Sequence, residues 1–333
     1  MTRPVTIEFE FNNSNNSMLY LSRQNLESLD IKTEEMLTQL EILLKAQAAG
    51  SVQAAPKAAL ATADGRYLMA TLSTCDDPPL MAVKGVIVNQ ENAKQGLEAI
   101  NGSIMLLNSQ TGVPVAYLDG NWITAVRTAA ASALAARYLA NAESSVMTFI
   151  GTGVQSRAHL KLFSSLYPIN EIRALGRGTR SRDVLCDTAS KMGLKAIPCD
   201  DASSAVDDAD IIVSSIPITS TVDPFIDAGW LKQGVFVSST DLALPWIAES
   251  MKAFDRIIID DLIQEAAMPE PMVEIELVGG DITGLVSGTV SGRQTPTERT
   301  AFVFRAVALG DLALASLVYQ KAVSTGVGFE IPS

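Results

Sequence analysis

The stretch Val146-Met147-Thr148-Phe149-Ile150-Gly151-Thr152-Gly153-Val154-Gln155-Ser156 decides the fold. Its first five residues read as a buried strand, a glycine turn follows, and amphipathic residues 157–163 continue as a helix. That layout gives a tight turn, close backbone approach and free N–H groups at a helix N-terminus, which together can hold a dinucleotide pyrophosphate. Gly151 and Gly153 fill the first two glycine positions, and Ser156 stands at the third, small enough for the helix to pack on the strand. Gly-x-Gly alone is weak evidence. Here an apolar strand precedes it and βα units continue to about residue 260.

Downstream, β-type runs at 171–175, 211–215, 235–239 and 256–259 are read with helices between them, the pattern of a parallel sheet covered on both faces. Upstream, residues 25–50 hold an amphipathic helix, with Thr33 as its cap and Met36, Leu37, Leu40, Leu43 and Leu44 on the apolar side. Runs at 58–63, 67–73, 80–88, 103–108 and 113–118, separated by Asp, Gly and Pro turns, predict an antiparallel sheet. An alanine-rich helix over 124–140 leads into the glycine-turn strand, and a last long helix over 297–322 returns to the first domain. The asparagine-rich residues 2–17 read as a loose lead-in or an edge strand. The fold class is α/β: a Rossmann-type doubly wound parallel sheet over 123–304, plus an α+β domain over 1–122 completed by residues 305–333.

At 333 residues, 47% hydrophobic and 19% charged, the chain is long enough for two cores. A net charge of −12 argues against nucleic acid or an anionic membrane as partner. No apolar run reaches a membrane span, and no signal-peptide pattern opens the chain. Cys75, Cys186 and Cys199 have no paired spacing, which predicts a reduced, cytoplasmic setting without disulfides or a zinc set. The single histidine, His159, falls on the helix after the glycine turn, where it is expected to pack or cap. That position argues against a Ser-His-Asp triad and a histidine metal site, no metal is expected, and proton transfer falls to Lys, Asp, Glu or Tyr.

Dinucleotide enzymes read the adenosine ribose at the end of the second strand, roughly 20 residues after the glycines. Leu175-Gly176-Arg177-Gly178-Thr179-Arg180-Ser181-Arg182 has no carboxylate before Asp183. Arg177, Thr179 and Arg180 are candidates for a 2′-phosphate, so NADP(H) is preferred and NAD(H) possible; a solvated basic loop is the other reading. Lys84 alternates onto one strand face with Ala82, Val86 and Val88, so it either reaches water at an edge or is buried beside an anion. Arg127 is placed in the first turn of its helix, where a cation makes sense if it shares a carboxylate with the free N–H groups. A surface arginine is the alternative. Asp241 follows the 235–239 strand, placed either to exchange a proton with substrate or to cap a helix near Leu244.

These residues also carry a resemblance. From about 26 to 322 the chain resembles the ornithine cyclodeaminase/mu-crystallin family, through Met81-Ala82-Val83-Lys84-Gly85, Thr111-Gly112-Val113-Pro114-Val115-Ala116, Ile123-Thr124-Ala125-Val126-Arg127-Thr128-Ala129, the glycine turn and Asp208-Ala209-Asp210-Ile211-Ile212. The resemblance implies a homodimer pairing its N-terminal sheets, with a Rossmann domain in each subunit. It makes Lys84 the active-site lysine, Arg127 the carboxylate-binding arginine and Asp241 the catalytic aspartate. Lys57 stands where the family has a first substrate-binding arginine, keeping the charge but losing the fork. The aspartate motif is Ser239-Thr240-Asp241-Leu242-Ala243-Leu244-Pro245-Trp246 rather than one continuing through Pro-Gly-Lys, and Phe304-Arg305-Ala306 replaces a Ser-x-x-Gly-like stretch. These departures count against a plain ornithine cyclodeaminase. The expected function is an NAD(P)H-dependent reductase of a small anionic α-imino acid, giving an L-amino acid. Lys57, Lys84, Arg127 and Arg305 carry enough positive charge for a dicarboxylic imine such as iminosuccinate. The alternatives are ornithine cyclodeaminase and a non-catalytic, NADPH-dependent binding protein. In the enzymatic reading, Lys84 and Arg127 serve one acid-binding cavity beside the nicotinamide.

Overall fold

The computed structural model of the protein describes residues 17–218 and 222–332. All of the asparagine-rich lead-in except Ser17 lies outside them. Along the chain come β1 (Ser17–Leu21), α1 (Arg23–Ser28), α2 (Thr33–Ala48), β2 (Val52–Ala54), β3 (Ala58–Ala61), β4 (Tyr67–Asp76), β5 (Pro79–Val88), β6 (Ile100–Asn108) and β7 (Pro114–Asp119). Then follow α3 (Gly120–Leu139), β8 (Val146–Ile150), α4 (Val154–Leu166), β9 (Glu171–Leu175), α5 (Thr179–Lys191), β10 (Lys195–Cys199), α6 (Ala202–Val206), β11 (Ile211–Ser214) and β12 (Phe236–Ser239). The chain continues through β13 (Arg256–Ile259), α7 (Leu262–Ala266), β14 (Val278–Asp281), α8 (Ile282–Ser287), β15 (Thr300–Val303), α9 (Ala308–Thr325) and β16 (Phe329–Pro332). Two compact units form, one from residues 17–39, 49–124 and 308–332, the other from residues 40–48 and 125–307.

The first unit is built on a sheet of order β16-β1-β7-β6-β5-β4-β2, with β3 also paired to β4. Its ladders are antiparallel except where β1 runs parallel to β7. Side chains alternate across the pleat, so Leu80, Ala82, Lys84 and Val86 of β5 share a buried face with Ile104 and Leu106 of β6 and Ala116 and Leu118 of β7. Helix α9 covers this face, packing on β4 and β5. Its Leu309, Leu312, Leu314 and Val318 are all buried, each contributing about 1.5–3 kcal/mol. The opposite face is apolar too, yet open. It carries Leu72, Ile87, Tyr117, Tyr20 and Phe329, all exposed, with Tyr20 and Tyr117 stacked at 6.3 Å.

The second unit is a parallel sheet of order β10-β9-β8-β11-β12-β15-β13-β14. β11, β12 and β15 are buried along their whole lengths, as central parallel strands covered on both faces are. The order reverses between β8 and β11, the crevice where open α/β sheets take ligands.

Two expectations need correction. Residues 297–322 are not one helix, because Thr300–Val303 is β15, inserted between β12 and β13, and α9 begins at Ala308. A short apolar run buried on both faces has no period that separates a strand from a helix. Nor do α-helices bridge every strand pair. Among the described residues, 3-10 turns at Ala228–Trp230 and Ala248–Ala253 follow β11 and β12 instead, in segments where Pro217, Pro224 and Pro245 remove backbone donors. No helix among the described residues is long and apolar enough to cross a membrane.

His159 packs as expected. Its Nδ1 donates to the Gln155 carbonyl at 2.8 Å, and its Nε2 faces Ser132 Oγ at 2.9 Å, which Ser238 Oγ reaches at 2.8 Å. This buried chain ties α3, α4 and β12 together. Burial pushes the imidazole down to about 4, because a protonated ring would be a cation in the core. The unfolded chain, titrating near 6.5, takes up this proton first as pH falls. The stability linked to His159 is therefore complete above about pH 6.5 and is lost down to about pH 4, by on the order of 3 kcal/mol. Denaturant unfolding across that window should show the loss, and His159→Gln should flatten it. An equal slope in the variant would assign the loss to other groups.

Candidate active site

At the carboxyl ends of β8, β9, β10 and β11 the second unit opens a cleft of about 560 Å³. Gly151 turns into it with φ +92°, and a Cβ there would lie 2.5 Å from the Ser215 carbonyl, so the two crossing turns admit only glycine. Gly153 is the N-cap of α4, makes no side-chain cap bond, and has open space where a Cβ would project. The first N–H groups of α4 thus meet the cleft at the positive end of the helix dipole. Ser156 Oγ donates to the Gly151 carbonyl at 2.6 Å and lies 3.1 Å from Ser215 Oγ, fixing the turn. Thr152 Oγ1 sits 2.9 Å from Ser181 Oγ. An open glycine cradle with uncapped donors fits a dinucleotide pyrophosphate.

Of the basic loop, Arg177 lines the cleft and is exposed, whereas Thr179 and Arg180 open α5 and do not line it. Thr179 and Arg180 are both exposed in the first turn of α5. Ser181, Asp200 and Asp201 line the cleft instead. Asp200 pairs with Arg182 at 2.8 Å, and Asp201 caps α6 by accepting from Ser204 N at 2.8 Å. Hydrogen bonds from Ser204 hold the Asp201 carboxyl down to about 2. Sequence reading missed both acids because β10, interrupted by Pro198, does not read as a strand.

Asp241 is fully buried. Its Oδ1 accepts from Ser239 Oγ at 2.6 Å and Ser214 Oγ at 2.9 Å, and its Oδ2 accepts from Ile216 N at 3.0 Å. Trp246 Nε1 donates to Ser214 Oγ at 3.1 Å. Burial pushes the carboxyl up, against the bonds from Ser239, Ile216 and Ser214. No helix starts near Leu244; the chain turns through Leu242 and Ala243 at φ 62° and 58°. The helix cap is thus replaced by a brace between the ends of β11 and β12 that holds Ile216 in the cleft wall.

Arg127 lies about two turns into α3, not in its first turn. The helix starts early because Asp119 Oδ1 accepts from Trp122 N at 2.7 Å, so Arg127 shares no anion with the first N–H groups. Arg127 is 5% exposed, and its guanidinium carbon stands 5.2 Å from the Phe304 ring centroid, in cation–π range. Arg305 is not a surplus cation. Glu265 engages its fork at 2.7 and 3.2 Å, and the Glu270 carbonyl accepts from Nη2 at 2.8 Å.

In the first unit Lys57 is half-buried in the link between β2 and β3. Lys84 is 2% exposed, its Nζ 3.0 Å from Asp311 Oδ1 on α9. Thr71 Oγ1 donates to the other carboxylate oxygen at 3.2 Å. Of the two readings of Lys84, burial beside an anion is the one realised. Asp311 was missed by sequence reading, although a single acid in an alanine- and leucine-rich helix is the signal that finds it.

A glycine cradle at the switch point of a parallel sheet defines a dinucleotide-binding protein. Residues 17–326 match the ornithine cyclodeaminase/mu-crystallin family, and the chain belongs to it. The Thermococcus litoralis Δ1-pyrroline-2-carboxylate reductase, solved in complex with NADH and L-proline, is similar at TM-score 0.85 and 25% identity, over 94% of this chain and 100% of that one. An archaeal alanine dehydrogenase dimer with bound NAD matches at TM-score 0.83 and 27% identity, over 95% and 99% of the two chains. The iminosuccinate reductase of Paracoccus denitrificans in complex with NAD+ matches at 0.79 and 25%, over 95% and 99%.

The two cradle glycines predict different failures. Gly151→Ala meets the Ser215 carbonyl and should lower Tm. Gly153→Ala meets no atom within 4 Å, so Tm should hold while its methyl crowds the pyrophosphate and weakens NAD(P)H binding about tenfold or more. Thermal melts and fluorescence titration check this, and unchanged affinity in Gly153→Ala would remove the pyrophosphate from that turn.

Proposed function

We propose that the protein is an NAD(P)-dependent oxidoreductase acting on C–N bonds, a reductase that converts an α-imino acid to an L-amino acid. The observation that carries this reading is the buried Lys84 ammonium held on a sheet face, in a chain that also bears an open dinucleotide cradle. Reductases of imino acids among the similar structures support it. When bound, the dinucleotide supplies the hydride. The backbone of Gly151, Thr152, Gly153, Val154, Gln155 and Ser156 binds its pyrophosphate. Arg127 and Lys84 are assigned as N–H donors to the substrate carboxylate. We assign Asp241 to positioning Ile216 rather than to proton transfer, because both of its oxygens already accept hydrogen bonds. A protonated imine needs no further proton when it is reduced.

With Arg305 committed to Glu265, the available cations suit a monocarboxylic imino acid. Iminosuccinate is the second reading, favoured by Lys57 as a further cation. NADP(H) preference rests on Arg177, Thr179 and Arg180, while the Asp200 and Asp201 carboxylates on the cleft favour NAD(H) as the alternative. We further propose a homodimer formed through the open apolar face of the first unit's sheet, since an apolar patch of that extent marks an interaction surface and a similar alanine dehydrogenase is a dimer.

The deciding measurement is NADH and NADPH oxidation, run in parallel, with Δ1-pyrroline-2-carboxylate, pyruvate plus ammonia, and iminosuccinate. Lys84→Ala should abolish turnover yet bind cofactor normally. Silence across the panel, or ammonia release from ornithine without net cofactor change, would replace the reductase by a binding protein or a cyclodeaminase. Arg177→Ala should weaken NADPH about tenfold and spare NADH if it reads the 2′-phosphate. Leu72→Asp with Val83→Asp should give monomers by light scattering, and an undisturbed dimer would move the interface elsewhere.

A further inference from the structure

The cation that the proposed reaction uses is also the one the fold has neutralised. Lys84 Nζ and Asp311 Oδ1 are 3.0 Å apart, with side chains 3% and 2% exposed. Strand register fixes the lysine, since Thr71 pairs with Lys84 across β4 and β5 and both side chains point to the α9 face. Thr71 Oγ1 donates to Asp311 Oδ2, and Ser73 Oγ, two residues along the same face, donates to the Ala308 carbonyl at 3.2 Å. The start of α9 is thus tied to β4 at Ala308 and at the aspartate itself, and the carboxylate is oriented rather than merely near.

An isolated ammonium and an ammonium paired with a carboxylate present different fields. Both offer N–H donors to an acid. Only the isolated one strongly repels a second cation nearby, because repulsion between like charges grows in a water-poor site. A protonated imine is such a cation, whereas the 2-keto acid of the same shape is neutral at that position. We propose that Asp311 is a specificity-determining positioning residue: by neutralising Lys84 it lets the site accept the charged imino or amino group of its substrate in preference to the matching keto acid. This rests on the reading that Lys84 meets substrate, and it adds which chemical form of substrate is taken.

The test compares paired probes of one carbon skeleton, pyruvate against L-alanine and oxaloacetate against L-aspartate, by calorimetric titration of the cofactor-loaded protein, with imino acid turnover measured alongside. Asp311→Asn keeps the shape and removes the charge. It should weaken the amino acid and raise the imino acid KM about tenfold or more, while the keto acid binds as well as before or better. Asp311→Glu, which restores the charge, should recover part of the amino acid preference. Thr71→Val keeps both charges but frees the carboxylate, and should shift the ratio in the same direction by less; it carries the test if Asp311→Asn does not fold. Equal loss of both members of a pair, or no change in either, overturns the proposal. A wild-type protein that prefers the amino acid in an Asp311-dependent way, yet reduces no imino acid, overturns the reductase reading alone.

Discussion

A lysine and an aspartate 227 positions apart in sequence meet in the core of the first unit, and the construction of that unit follows from them. Neither charge tolerates burial alone, and removing one partner of a buried pair costs about 3–5 kcal/mol. The strand face bearing Lys84 must therefore be covered by the helix bearing Asp311, in one register. A slip of one residue along β5 would turn Lys84 to the open face and bring its outer neighbours inward. The chain must also return from the second unit to supply α9, so the first unit is assembled from both ends of the sequence.

The second unit has its own buried carboxylate, used differently. Asp241 meets hydroxyls and a backbone N–H instead of a cation, so its charge is dispersed over three donors. It braces the loop after β11, and that loop supplies the Ser215 carbonyl against which Gly151 turns. The close approach at the switch point and the brace behind it form one device. One aspartate tempers a charge and the other fixes a wall, and the difference lies in what each is buried against.

Much of this was legible from local pattern. Alternation gave β4 through β7 and the face of Lys84, and the glycine turn gave β8, α4 and the cradle. Legibility failed where no period exists or where a partner is distant. β15 is a four-residue apolar run inside a stretch that otherwise reads as helix, and β10 hides behind its proline. The start of α3 was misplaced because its cap, Asp119, belongs to the preceding strand, which moved Arg127 from the helix terminus to its interior against Phe304. Arg305 reads as a free cation only until Glu265 is seen to hold it.

The sequence by itself determined which residues were chemically out of place: a lysine among apolar strand residues, an aspartate after a buried strand, glycines between a strand and a helix. Burial makes such residues conspicuous, because a polar group on an apolar face demands compensation. Only the tertiary structure decided what compensates each of them. Partners such as Asp311 for Lys84, Glu265 for Arg305 and Ser214 for Asp241 come from distant segments. Their pairing is set by strand order and helix packing, and local spacing carries no record of either.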